Sequence, residues 1–159
     1  MPLSDYEDLF VGARLWGLEL EPRYRVLAVT LELTEAAHPR DGVEDRRVQL
    51  LVHPVSTILA SLRSVGEEGR RLHTFEDSQL VDVAAAVGGA EVTSPLFGRP
   101  EPRPGTWGPQ FSLEGRSTAP DGTRHTLTIV VRTDDLELDL FARFDVMELK
   151  DPHGADLLA

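Results

Sequence analysis

The stretch HTLTIVVRTDDLELDLFARF, residues 125–144, decides the fold of this protein. Apolar and polar residues alternate on both sides of the two aspartates at 134–135, a pattern typical of two strands joined by a tight turn. A two-residue loop there places Ile129 opposite Leu140 and collects the apolar side chains on one face. The stretch therefore predicts an antiparallel hairpin with one face turned towards the core.

A second hairpin is predicted from the overlapping stretch FSLEGRSTAPDGTRHTLTIVV, residues 111–131. The residues PDG at 120–122 fit a three-residue loop, in which proline fixes φ and glycine takes the left-handed position. That loop pairs Leu113 with Ile129. Both hairpins then turn the same apolar residues inward, which predicts a three-stranded meander.

The first third of the chain predicts another hairpin, because ARLWGLELEPRYRVLAVTLEL at 13–33 alternates in the same way. A turn at 21–24 sets Trp16 opposite Val29 on the apolar face. RRVQLLVHP at 46–54 predicts a third strand. Residues 55–63 fit either a strand or a helix, and their β-branched side chains favour the strand.

One helix is predicted at about 75–87, where Thr74 can cap the first turn and two glycines at 88–89 end the last one. Its apolar residues recur at helical spacing, so it can cover a sheet. The predicted fold class is α+β: a mostly antiparallel β-sheet or β-sandwich of about six to seven strands with this covering helix. A length of 159 residues fits a single domain, 1–159.

The composition excludes several classes of function. A formal charge of −11, from 27 acidic and 16 basic residues, disfavours nucleic acid and anionic membranes as partners. The chain has no cysteine, which excludes disulfides, thiolate catalysis and cysteine-bound zinc. No metal-ligand spacing, cofactor motif or catalytic motif is present, so we assign no metal, cofactor or catalytic residue. Without a signal segment or a long apolar run, a cytoplasmic protein is expected.

Proline and glycine are concentrated in GRPEPRPGTWGPQ, residues 98–110. This segment fits a rigid loop within the domain, a proline-rich docking peptide or an interdomain linker. We favour the loop, because the prolines lack P-x-x-P spacing and the strands after the segment need the preceding helix as a cover. Trp107 supports this interpretation, since an indole in a loop usually closes over apolar surface.

Three residues are candidates for binding a small ligand. The hairpin register turns His125 inward beside Phe144, and Trp107 and Arg116 are expected to lie near it. A histidine and an arginine at a pocket can contact an anionic ligand. The ordinary alternative is a buried histidine that is hydrogen-bonded within the core.

The acidic residues of the last hairpin form a second candidate site. Glu137 and Asp139 lie two apart on one strand, a spacing compatible with acid and base roles in glycoside cleavage. Pairing of Glu137 with Arg132 favours instead a solvated outer face. Such a face predicts a surface that binds a basic protein partner through the acidic residues Asp134, Asp135, Glu137, Asp139 and Asp145.

Two functions follow from these candidates. The first is a non-catalytic protein-interaction or inhibitor and immunity-type module with an acidic surface, whose partner is a protein with a basic surface. The alternative is a domain that binds a small, anionic molecule, or a hydrolase, with a pocket near Trp107 and His125. A homodimer through a free sheet edge is left open.

Overall fold

A computed structural model describes residues 3–40, 42–67, 69–93, 95–103, 111–114 and 125–158. A 3₁₀ turn at Leu3–Phe10 comes first, and a second one at Asp77–Gln79 leads into the α-helix α1 at Leu80–Ala86. The strands in the described residues are β1 (Arg14–Glu21), β2 (Val26–Glu32), β3 (Arg47–His53), β4 (Thr57–Gly66), β5 (Gly69–His73), β6 (Phe111–Glu114), β7 (His125–Arg132), β8 (Leu136–Phe144) and β9 (Val146–Lys150). The predicted α+β class, mostly antiparallel, is confirmed, with more strands than expected.

The strands form two antiparallel sheets. One sheet has the order β1-β2-β3-β9, and in the other β4, β8 and β7 lie side by side, with β5 and β6 sharing the outer edge of β4. Inward-facing residues of both sheets and of α1 belong to one hydrophobic cluster. The two sheets are therefore layers over a common core.

The hairpin of β7 and β8 has the register that the sequence predicts. Ile129 lies opposite Leu140 and Val131 opposite Leu138, and all four side chains are fully buried. After β8 the chain passes through Asp145 into β9, which pairs with β3 in the other sheet. One continuous run of the chain thus supplies the centre of one layer and the edge of the other.

The predicted pairing of Leu113 with Ile129 is wrong. β6 pairs with β4, where Leu113 lies opposite Ile58, and the predicted loop at 120–122 lies outside the described residues. The free edge of β7 is occupied instead by the segment that follows α1: Thr93 N–H donates to the Val130 carbonyl, and Thr128 N–H donates to the Leu96 carbonyl. Alternation predicts which way a strand faces but not which edge it joins.

Glu7 in the first 3₁₀ turn forms hydrogen bonds with that segment. Its carboxylate accepts hydrogen bonds from the backbone N–H groups of Leu96, at 3.1 Å, and Phe97, at 2.6 Å. Because Glu7→Ala leaves two buried donors without their acceptor, we expect it to lower the free energy of unfolding by about 1–3 kcal/mol. Urea denaturation measures this loss. The neighbouring variant Asp8→Ala, at an exposed position, is the control, and equal losses for the two would contradict the assignment.

The first hairpin forms with a different register from the predicted one. Leu18, not Trp16, lies opposite Val29, because the turn is displaced; a β-bulge then follows Leu15 at the far end of the strand. The bulge leaves Trp16 as the extra residue and turns it outward, where it is 45% exposed. Its indole ring lies against Gly89, at which an added Cβ would come within 3.2 Å of the ring.

The helix is shorter than the predicted range of 75–87. Thr74 does not cap it. Instead the Glu76 and Gln79 side chains form a reciprocal capping box around the 3₁₀ turn at Asp77–Gln79, and α1 begins only at Leu80. The predicted inward face is confirmed, since Leu80, Val83, Ala84 and Val87 are all buried. Residues 57–66 form a strand, as their β-branched content favours.

Candidate functional site

A buried group of charges lies on the outer face of the five-stranded sheet. We call Arg63, Glu137 and Asp139 the charge cluster. Arg63 on β4 lies opposite Glu137 on β8, and Asp139 is two residues further along β8. Arg63 Nη2 donates to Asp139 Oδ2 and lies 3.5 Å from Glu137 Oε2. Glu137 is only 7% exposed and Asp139 8%. The prediction that Glu137 and Asp139 lie on a solvated face is therefore wrong.

Two further arginines approach the charge cluster from its rim. Arg70 Nη2 lies 3.4 Å and Arg132 Nε 3.7 Å from Glu137 Oε1. Burial raises the pKa of Asp139, while the positive charges of Arg63 and Arg132 oppose that shift. The carboxylates are thus compensated inside the protein. This arrangement is that of a structural ion-pair network rather than of two free catalytic acids.

A cavity of about 510 Å³ opens beside this network, and we call it the proline cavity. Its described lining comprises Thr93, Arg99, Pro100, Pro102, Thr128, Val130, Arg132 and Asp139. Thr128 is 6% exposed, and its Oγ1 has no hydrogen-bond partner among the described residues. Buried hydroxyl groups in folded proteins are nearly always hydrogen-bonded, so this one indicates a place for a polar ligand or a water molecule.

A second cavity of about 450 Å³, the histidine cavity, lies at the beginning of β7. Its described lining comprises Leu3, Phe97, Gly98, Arg99, Pro100, His125, Thr126 and Arg143. The His125 ring lies 5.8 Å from the Phe144 ring, between ring centroids, as the hairpin register implies. Thr126 Oγ1 is another buried hydroxyl without a hydrogen-bond partner in the described part of the chain.

The lining of the histidine cavity contains two arginines and a histidine. Arg99, Arg143 and His125 all contribute to it, and its described lining includes no carboxylate. Glu101 is outside that described lining, and its Oε1 lies 3.7 Å from Arg143 Nε. Two guanidinium groups and an imidazole around one space can bind a phosphate or carboxylate.

The other predicted site residues are scattered. Trp107 and Arg116 lie outside the described residues. Asp134 and Asp135 are exposed in the turn between β7 and β8, whereas Asp145 is half-buried at the end of β8. The five acidic residues predicted to bind a partner therefore do not form one exposed surface.

Sequence reasoning missed Arg99, Arg143 and Thr128. Arg143 faces Thr126 in the predicted register, so its place on the outer face could have been read from the pattern. Arg99 belongs to the proline-rich segment, and only the course of that segment across β7 brings it to His125.

Within the described ranges, no three histidine or acidic side chains are grouped to hold a metal ion. No helix in the same residues is long and apolar enough to cross a bilayer. Comparison of the chain with protein-family models, with curated proteins and with solved structures gave no match. The functional conclusion therefore depends on the geometry of the two cavities.

Proposed function

We propose that this protein is a binding domain for a small anionic molecule, which the histidine cavity holds. The observation that carries the proposal is the lining of that cavity by the guanidinium groups of Arg99 and Arg143, with the His125 ring beside them. The chain as a whole has a net charge of −11, so a cavity lined by positive side chains is opposite in sign to its surroundings. Such a local reversal of sign concentrates an anion at one place on a protein that otherwise repels it.

The distribution of the acidic residues gives less support to the other function, an inhibitor-type module that binds a basic protein. Many acids of the last third have intramolecular cationic partners: Glu137 and Asp139 contact Arg63, Glu148 contacts Lys150 and Asp151 contacts Arg40. Asp134 and Asp135 remain exposed at the turn. Two exposed acids form a small patch compared with the surface that a stable protein complex needs.

Titration with inorganic phosphate tests the proposal. Phosphate should shift the ring proton resonances of His125 in an NMR spectrum, and calorimetry should give its affinity. We expect Arg143→Gln to weaken binding about tenfold or more, because a hydrogen bond to a charged group is lost. Glu101→Gln should strengthen binding about two- to fivefold, since the carboxylate that competes for Arg143 is removed.

Arg47→Gln is the matched control, because Arg47 is an exposed arginine of the other sheet that pairs with Asp45. It should leave the phosphate affinity unchanged. Arg143→Gln and Arg47→Gln change the net charge by the same amount, so a loss of affinity in the first variant alone separates binding at this cavity from a general response to net charge. If Arg47→Gln weakens binding as much as Arg143→Gln does, the histidine cavity is not the site.

A further inference from the structure

We propose that the histidine cavity and the proline cavity hold one ligand between them, and that this ligand is an anionic carbohydrate, a sugar that carries a phosphate or carboxylate group. The inference rests on the proposed function and names the class of its ligand. Arg99 and Pro100 line both cavities, so the two spaces are neighbours along the same wall. The described lining of the histidine cavity has two arginines and no carboxylate, whereas that of the proline cavity combines arginine, hydroxyl, carboxylate and apolar groups.

The floor common to both spaces is strand β7. Thr126 lines the histidine cavity and Thr128 lines the proline cavity. Residues two apart on a strand project from the same face, about 6.5–7 Å from each other. The two threonines are therefore about one small molecule apart. A ligand anchored at Arg143 can extend along the strand to Thr128.

Two unpartnered hydroxyl groups mark that path. Thr126 Oγ1 and Thr128 Oγ1 are both buried, and neither has a hydrogen-bond partner among the described residues. A hydroxyl group both donates and accepts, so it is complementary to the hydroxyl groups of a sugar. Asp139, which also lines the proline cavity, supplies carboxylate oxygens that accept from further hydroxyl groups.

The proline cavity also has an apolar wall. Pro100, Pro102 and Val130 contribute to its lining, beside the polar groups of Thr128 and Asp139. Ligand sites in proteins usually combine apolar surface with a few polar groups that fix orientation. A sugar ring has C–H faces that can lie against the prolines and a rim of hydroxyl groups that can reach the threonine and the aspartate.

The arrangement of charge orients the ligand. The histidine cavity has Arg99 and Arg143 and no carboxylate in its described lining, whereas the proline cavity has the carboxylate of Asp139 beside Arg99 and Arg132. Among the described lining residues, an anionic group therefore meets a like charge only in the proline cavity, which favours its binding in the histidine cavity. The phosphate or carboxylate therefore binds at His125, and the neutral hydroxyl-bearing part lies over Thr128.

The test is calorimetric titration with four probes: inorganic phosphate, glucose 6-phosphate, glucose and glucuronate. Glucose 6-phosphate should bind at least tenfold more tightly than either inorganic phosphate or glucose, because it occupies both cavities. Glucuronate binding more tightly than glucose 6-phosphate would support the inference with a carboxylate as the anionic group.

The variant Thr128→Val distinguishes ligand contacts in the proline cavity from those in the histidine cavity. It is nearly isosteric and removes a hydroxyl group that has no partner in the described part of the protein, so the fold should survive. We expect it to weaken sugar phosphate binding about five- to tenfold, the loss of one hydrogen bond, and to leave inorganic phosphate binding unchanged. Thr128→Ser keeps the hydroxyl group, so it should retain sugar phosphate binding. Thr30→Val on the other sheet should not change the affinity for sugar phosphates.

Each failure has a different meaning. If neither glucose 6-phosphate nor glucuronate binds more tightly than inorganic phosphate, the shared-ligand inference is overturned while the proposed anion site stands. If Thr128→Val binds sugar phosphates as well as the unaltered protein does, the hydroxyl of Thr128 has no part in recognition and the inference is also overturned. If none of the anionic probes binds, the proposed function fails as well.

Discussion

Replacing Arg63 with leucine is expected to lower the free energy of unfolding by about 3–5 kcal/mol, because it leaves two buried carboxylates without the cation between them. Arg63 contacts both Glu137 and Asp139, and its side chain is only 16% exposed. Leucine fills part of the space but cannot compensate either charge. Urea denaturation at pH 7 measures the loss.

The control is Arg70→Leu, which removes an arginine that also contacts Glu137 but is 60% exposed. An exposed pair of this kind contributes about 0–1 kcal/mol. Equal losses for the two variants would mean that burial of the charge cluster does not matter for stability. A triple variant with leucine also at Glu137 and Asp139 should recover much of the lost stability, because it removes the buried charges together with their partner.

The pH dependence of Arg63→Leu gives a further readout of the same prediction. Burial raises the pKa of Asp139 above its ordinary value of 3.8, so the folded state holds this proton more tightly than the unfolded state does. The stability contribution of such a group is greatest below pH 3.8 and is lost as the pH rises through the folded pKa. The deficit of Arg63→Leu should therefore be smaller at pH 4 than at pH 7.

The second large effect is expected for Leu140→Ala, which should lower the free energy of unfolding by about 2–5 kcal/mol. Leu140 is fully buried on the central strand β8, with Ile129 opposite it on β7 and Ala60 opposite it on β4. Removal of its side chain leaves a cavity between both neighbours. Thermal and urea denaturation both report the change.

Leu72→Ala on the edge strand β5 is the control for this truncation, since Leu72 is exposed. It removes the same atoms from a position where water already reaches them, so we expect a change of about 0.5 kcal/mol or less. A loss below 1 kcal/mol for Leu140→Ala would contradict the register of the β7–β8 hairpin.

The β7–β8 hairpin could be predicted because all its determinants are local. A strict alternation sets the face of each side chain, and the length of the turn at 134–135 sets the register. β6 could not be placed in the same way, because its four residues fit any open edge and the segment bonded to Val130 already occupied the edge of β7. Edge assignment depends on competition between distant segments.

The first hairpin shows a second limit of sequence reasoning. One extra residue at Trp16 reverses the alternation, so Leu15 and Leu18 both face the core although they are three apart. Nothing in the composition of the segment distinguishes a bulge from a regular strand before the pairing is known.

The sequence likewise predicted some features of the candidate site and not others. His125, Glu137 and Asp139 lie on the best-determined strands, and their faces were read correctly from the alternation, although the burial of the two acids was not. Whether side chains on the outer face of a sheet are buried depends on which other segments of the chain cross that face. Arg99 lines both cavities because of the path that the proline-rich segment takes. The sequence of that segment has no periodic pattern from which the path could be predicted.

The passage of the chain from β8 directly into β9 has a mechanical consequence. Because β8 is hydrogen-bonded into one layer and β9, one residue later, into the other, tension on one layer is transmitted through covalent bonds to the other. The joined ends of β8 and β9 cannot move apart unless the ladder at β3 or at β4 breaks. Amide protons of β3 and β8 should consequently show the same free energy of opening in deuterium exchange, through a single cooperative opening of the molecule.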